Sequence, residues 1–220
     1  MEKILVAGYQ GRMGSVVFER LKSAGFDVIG KGSSDNFDHI DKAKLVIEFG
    51  GVECSVECAK WCKENKVPLV IGSTGHTAEQ ISLIKDAAKE TIVVMAGNFS
   101  LGILCIKQMI KLLKTIGVTE TCIFEKHHKN KKDSPSGTAL ELANVVKSEL
   151  EINPQILSLR GGKELGAHEI SFYFEEECIE ISHKVFSRTA FANGVVLVAN
   201  NINKLTTNGL YSFEDVMVNF

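Results

Sequence analysis

The sequence predicts an α/β protein in two layers: a parallel sheet covered by helices on both faces, and an inserted α+β layer on an open mixed sheet. Three observations carry that prediction. Short continuous apolar runs alternate with helix-periodic runs through the first part of the chain. The middle changes to strands that alternate apolar and polar residues, and the end returns to helix-like apolar spacing. Continuous apolar strands between helices need cover on both faces, whereas alternation marks a strand with one wet face.

The elements read in order as follows. "KILVAG" is an apolar strand ending in glycine, and "GRMGSVVFERLKSAG" is a helix closed by Gly25. "FDVIGKG" and "AKLVIEFG" are buried strands, with "VECSVECAKWCKENK" as the helix after the second. "VPLVIGSTG" is a strand, and Thr77 with Gln80 three residues later forms a capping-box pattern that opens "TAEQISLIKDAAKE". "TIVVMAG" closes this series. After "NFSLG", "LGILCIKQMIKLLKTIG" is a long amphipathic helix and "VTETCIFEKHH" a half-exposed strand. "SGTALELANVVKSELEI" is helical, and "HEISFYFEEECIEISHKVFS" reads as two antiparallel strands joined at the acidic turn. The last stretch, from "RTAFANGVVLVANN" onward, has helical spacing. No repeat or low-complexity linker interrupts the chain. The expected layout is one domain from residues 1–98 completed by 189–220, with residues 99–188 inserted.

Composition narrows the function classes. The 220 residues are 45% hydrophobic with a formal net charge of -2. A near-neutral chain argues against bulk nucleic-acid or membrane-surface binding. No apolar run approaches the roughly 20 residues a transmembrane helix needs, and the N-terminal stretch lacks a signal-peptide layout, so a cytoplasmic protein is expected. Cys54, Cys58 and Cys62 recur at every fourth position, a spacing that suits small residues packing on a sheet better than metal ligation, and no metal is expected.

Gly8, Gly11 and Gly14 stand at the junction of the first strand and helix. Glycines there permit a tight turn and let the backbone approach a pyrophosphate at the positive end of a helix. The spacing is G-x-x-G-x-x-G, with Gln10 in the usual middle glycine position. This points to a Rossmann-type dinucleotide-binding domain. At the end of the second strand, "VIGKGSSDN" offers Lys31, Ser33 and Ser34 before any carboxylate, which favours NADPH at least as much as NADH; Asp35 is the acidic alternative.

A second motif stands out in "EKHHKNKKDSPSGTA", residues 125–139, where paired histidines and four lysines precede a turn at a helix start. Such a cluster is suited to an anion rather than to mere solvation, because charge alone does not require the "SPSGT" turn. The stretch resembles the signature E-x-H-H-x-x-K-x-D-x-P-S-G-T-A of the dihydrodipicolinate reductase family. "GYQGRMG", "GSTG", "AGNFSLG" and "SHKVFSRTAFANG" are similar to that family's other blocks, in the same order.

The resemblance implies an NADPH- or NADH-dependent reductase of a cyclic imine dicarboxylate, and a homotetramer. It places acid/base chemistry on His127, a second proton-donor role on Lys131, and substrate contacts on His128, Gly137 and Thr138. It places cofactor contacts on Gly8, Tyr9, Gln10, Gly11, Arg12 and Met13, on Gly72, Ser73 and Thr74, and on Ala96, Gly97, Asn98 and Phe99. Adjacent strand residues face opposite ways, so His127 and His128 share a ligand only where the strand ends or bends. Lys184 and Arg188 either edge the same pocket or pair with the acidic turn, and His168 and His183 read as structural. Glu48, Gly50, Ser73 and Gly97 depart from the family's usual residues, all in the cofactor half. The competing classes are another small two-domain NAD(P) oxidoreductase, which has no reason to carry the histidine motif, and a nucleotide-sensing regulator without catalysis.

Overall fold

The computed structural model describes residues 3–32, 35–37 and 43–218. Its elements, in chain order, are β1 (Lys3–Ala7), α1 (Gly14–Ser23), β2 (Asp27–Lys31), β3 (Ala43–Glu48), α2 (Val52–Asn65), β4 (Leu69–Ile71), α3 (Ala78–Ala87), β5 (Ile92–Met95), α4 (Leu101–Leu112), β6 (Glu120–His127), α5 (Gly137–Leu150), β7 (Gln155–Arg160), β8 (Ala167–Tyr173), β9 (Cys178–Lys184), α6 (Thr189–Asn201), β10 (Gly209–Tyr211) and α7 (Phe213–Val218). Two compact units emerge: Met1–Phe99 with Phe191–Phe220, and Ser100–Ala190.

The first unit holds a six-stranded sheet in the order β10-β5-β4-β3-β1-β2, and every pairing is parallel. Strand order reverses at β1, so the glycine turn after it opens at the switch point where ligands of such sheets bind. The apolar strand runs are buried as their continuity requires, with Val6, Val46, Val70 and Val93 fully inaccessible. Cys54, Cys58 and Cys62 join the core between α2 and the sheet, together with Leu5, Val46 and Leu69. Helix α3 starts on the expected capping box: Thr77 Oγ1 accepts from Gln80 N at 3.2 Å, and Gln80 Oε1 accepts from Thr77 N at 2.9 Å. The C-terminal stretch is not wholly helical. Gly209–Tyr211 adds a parallel edge strand to β5, too short to show a strand pattern in the sequence.

The second unit is a four-stranded mixed sheet in the order β7-β6-β8-β9. Helices α4 and α5 cover one face, packing Ile103, Ile106, Ile110, Leu142 and Val146 on Ile123, Ile170 and Phe172. The strand β7 has no counterpart in the sequence reading. It is an edge strand whose leucines, Leu157 and Leu159, lie on the uncovered face, so its apolar residues do not mark the core.

Candidate active site

In the first unit, the turn after β1 is built by close backbone packing. Gly8 has φ of +77°, and a Cβ there would lie 2.4 Å from Gly50 Cα; a Cβ on Gly14 would lie 2.0 Å from Gly8 O. Tyr9 packs its ring over Gly30, while Gln10, Gly11 and Arg12 are exposed and Met13 is half-buried. Helix α1 has no side-chain cap at Met13 and no acidic residue in its first turn. Its backbone donors therefore meet no competing carboxylate of their own helix, which fits a dinucleotide's pyrophosphate.

The end of β2 differs from the expectation for a phosphate-reading lysine. Lys31 is 2% exposed. Its ammonium lies 3.3 Å from Gly32 O, 4.0 Å from Glu57 and 4.9 Å from the Phe37 ring centre. Asp35 is the group held at the strand end, where its Oδ2 accepts from Gly32 N at 2.7 Å. Ser33 lies outside the described residues. Gly72, Ser73 and Thr74 follow β4, and Ala96, Gly97 and Asn98 follow β5. Thr74 and Gly97 meet, since a Cβ at Gly97 would sit 3.2 Å from Thr74 Cγ2. Phe99 is 2% exposed, with its ring against Phe49 and Phe213. Its side chain is therefore part of the core.

In the second unit, β6 ends at His127 and points Thr121, Ile123, Glu125 and His127 to the covered face. His128 falls just beyond the strand, with its amide donating to Glu164 O at 2.8 Å. The histidine pair thus sits at a strand end, the place where both imidazoles can serve one ligand. Lys131 donates through its amide to His128 O at 3.1 Å, and its ammonium pairs with Asp133 at 2.8 Å. Gly137 and Thr138 are the first two residues of α5, capped by Ser136, whose Oγ accepts from Ala139 N. A Cβ at Gly137 would meet nothing within 4 Å. Burial pushes the Asp133 carboxyl up, but Lys131 and the Gly137 backbone, both bonded to it, hold it below its usual range. Lys184 pairs with Glu164 at 3.5 Å, on the far side of the sheet register from the acidic turn.

The residue that organises this end of the sheet is Glu125, fully buried and unassigned by the sequence reading. His127 Nδ1 lies 2.5 Å from its Oε2. Arg160 grips both oxygens, NH2 to Oε1 at 2.7 Å and NH1 to Oε2 at 3.0 Å, and NH2 also donates to Asp133 O at 2.7 Å. Ser136 N donates to Oε1 at 3.2 Å. One carboxylate therefore ties the histidine, the turn and the start of α5 together. The signal was present as the glutamate two residues before His127, on the same strand face. Arg160 was invisible because its strand was.

The charge states follow from this packing. Burial pushes the Glu125 carboxyl up, but hydrogen bonds from Arg160, Ser158 and His127 outweigh it and hold the group at about 2. As an ionised acceptor it fixes the hydrogen of His127 on Nδ1 and leaves Nε2 as the unprotonated nitrogen of the neutral ring. A Cβ at Gly166 would come within 2.9 Å of that Nε2, so glycine keeps it clear. Burial lowers the His127 pKa, Glu125 opposes, and Lys131 and Arg160 lower it further. His168 stacks edge-on at 5.2 Å between ring centres and bonds Ser136 Oγ at 3.2 Å through Nε2. Burial and His127 together depress it to about 4. Glu125, His127 and His168 offer ligand atoms within 4.8 Å of one another. The Arg160 fork already occupies the carboxylate and opposes a second cation there.

Comparison with known proteins shows the family and the fold. The family model for the dihydrodipicolinate reductase N-terminus matches residues 2–99, and that for its C-terminus matches residues 101–217. A 4-hydroxy-tetrahydrodipicolinate reductase of Thermosipho africanus is 33% identical over 214 residues, covering 96% of both chains. One of Wigglesworthia glossinidia brevipalpis is 35% identical over 202 residues, covering 89% of this chain and 76% of the relative. A solved dipicolinate-bound dihydrodipicolinate reductase from Paenisporosarcina sp. shares the fold with a TM-score of 0.80 at 19% identity, over 96% of this chain and 97% of that one. With a glycine turn at the switch point of one unit and a histidine-glutamate pair beside a helix start in the other, the chain belongs to the dihydrodipicolinate reductase family.

Proposed function

We propose that the chain reduces 4-hydroxy-tetrahydrodipicolinate to tetrahydrodipicolinate, using NADPH or NADH, in lysine and diaminopimelate biosynthesis: the 4-hydroxyl leaves as water, and the unsaturated ring takes up one hydride and one proton. The observation that carries this function is the Glu125-fixed His127 beside the Ser136-capped start of α5. Gly8 to Met13, Gly72 to Thr74 and Ala96 to Phe99 hold the dinucleotide, whose nicotinamide supplies the hydride. A doubly ionised ring needs convergent donors: the Gly137 and Thr138 amides at the positive end of α5, and the side chains of His128 and Lys131. His127 Nε2 delivers the proton, and Lys131 stabilises the negative charge that builds on the ring or acts as a second donor. Incoming carboxylates raise the depressed His127 pKa, so the acid is charged when substrate arrives and neutral when it leaves.

Spectrophotometric oxidation of NADPH and NADH tests this directly. Consumption must require both the protein and freshly generated substrate; no consumption with either cofactor contradicts it. Asp35 at the end of β2 supports use of NADH, since a carboxylate there accepts the ribose hydroxyls and repels an added phosphate. Asp35→Ser is expected to shift the NADPH-to-NADH efficiency ratio by about tenfold, the worth of one charge-assisted hydrogen bond. An unchanged ratio removes Asp35 from cofactor choice. We also propose a cytoplasmic homotetramer. Supporting it, Phe124, Leu157 and Leu159 expose 40%, 49% and 44% on the uncovered sheet face. No helix among the described residues is long and apolar enough to cross a membrane. Light scattering behind size exclusion reads the assembly, and a monomer at working concentration removes it.

A further inference from the structure

We propose that Glu48 is the positioning residue of the dinucleotide unit: one buried carboxylate that sets the rim formed by the loops after β1, β3 and β4. Glu48 ends β3 and is fully buried. Its Oε1 accepts from Gly50 N at 2.5 Å, Gly51 N at 3.0 Å and Ser73 Oγ at 2.8 Å, and its Oε2 accepts from Ser55 Oγ at 2.7 Å. Among the described residues no lysine or arginine forms an ion pair with it. All of these donors are neutral, and burial raises the pKa of Glu48 against their pull. The carboxylate also lies beside the start of α2, where it accepts from the amide of the N-cap residue Gly51 and from the hydroxyl of Ser55 in the first turn.

Each bond reaches a different part of the rim. Gly50 is pressed onto the glycine turn: a Cβ on Gly50 would lie 3.4 Å from Gly8 Cα and 2.7 Å from Cys54 Sγ. Ser73 relays the hold in both directions, donating to Glu48 and accepting from Gly51 N at 2.9 Å. Next along that loop, Thr74 meets Gly97 after β5. Glu48, Gly50, Ser73 and Gly97, scattered in the sequence, are thus links of one contact chain that touches the loops after β1, β3, β4 and β5. A long acid at 48 spans to Ser73, while glycine at 50 leaves the backbone room to close on Gly8.

This rests on the dinucleotide function of the unit, and the experiment separates the two. NADH and NADPH affinities are measured by fluorescence titration for the wild type, Glu48→Gln and Ser55→Ala, alongside thermal melting without cofactor. Glutamine matches the shape but carries no charge, which weakens the hold on the Gly50 and Gly51 amides. Its amide nitrogen meets the Ser55 hydroxyl, which must then turn to Gly51 O. Glu48→Gln is expected to weaken binding of the preferred cofactor by about tenfold or more. Ser55→Ala, which removes the donor farthest from the ligand, should weaken it by a smaller factor. In both variants the KM for the cyclic substrate at saturating cofactor should stay unchanged. If Glu48→Gln does not fold, Ser55→Ala carries the test alone. Lowered melting with unaltered cofactor affinity in the folded variants overturns the positioning role and leaves the dinucleotide function standing. A wild type that binds neither cofactor overturns the dinucleotide function itself.

Discussion

Two glutamates among the described residues are fully buried near strand ends, and they solve the same electrostatic problem differently. Glu125 in the second unit has a cation: the Arg160 fork, with His127 beside it, holds its carboxyl at about 2 despite burial. Glu48 in the first unit relies on two backbone amides and two serine hydroxyls, and burial raises its pKa. The contrast shows what a buried acid is fitted for. A compensated carboxylate can stay ionised and orient a neighbouring imidazole through a reaction. An uncompensated one is held by what it organises, and its worth lies in where it puts loops.

The sharpest way to break the comparison is to remove the cation. Arg160→Met should destabilise the protein by about 3–5 kcal/mol in urea unfolding, because it leaves Glu125 buried without its partner. Adding Glu125→Gln should restore much of that loss. If Arg160→Met unfolds like the wild type, the fork is not what compensates Glu125. Next comes the imidazole that Glu125 orients. His127→Gln should lower turnover by about 10²–10³-fold, as loss of a general acid does. His128→Gln should mainly raise the Michaelis constant. Equal and unchanged kinetics in both variants would remove the histidine pair from the chemistry.

A smaller effect sharpens the comparison through pH. His168, buried at 4% exposure, titrates at about 4 in the fold against 6.5 ordinarily. The unfolded chain therefore binds more protons between those values, so stability rises with pH there and is lost as pH falls from 6.5 towards 4. The loss amounts to roughly 3 kcal/mol at most. Melting temperatures should fall as pH drops across that window in the wild type and fall less steeply in His168→Gln, where His127 and His183, also lowered by burial, remain. A wild type that melts alike at both ends of the window would show that His168 is not held neutral by the fold.

How much of this was legible beforehand depended on whether a residue's role is local. The apolar runs from "KILVAG" to "TIVVMAG" declared a parallel sheet because burial on both faces leaves no polar alternation. The capping box at Thr77 and Gln80 lies within one helical turn, so sequence spacing was enough. The histidine motif was readable for the same reason, since strand end, turn and helix start are contiguous. Arg160 was not, because it reaches Glu125 from an edge strand whose leucines face outward. The linkage of Glu48 to Ser73 was also hidden, since it joins residues 25 positions apart through a side-chain hydrogen bond. Lys31 was misleading: a lysine beside a phosphate site reads as a ligand, yet its ammonium is spent on Gly32, Glu57 and the Phe37 ring.

The most direct check of the dicarboxylate site is calorimetry with pyridine-2,6-dicarboxylate in buffers of different ionisation enthalpy, from about pH 8 to about pH 6. Two carboxylates arriving beside His127 must raise a pKa that burial, Lys131 and Arg160 hold down, against the opposing pull of Glu125. Binding should tighten as pH falls and take up a proton, and His127→Gln should abolish that uptake. Affinity that ignores pH, with proton uptake the same in His127→Gln as in the wild type, would place the anion somewhere else.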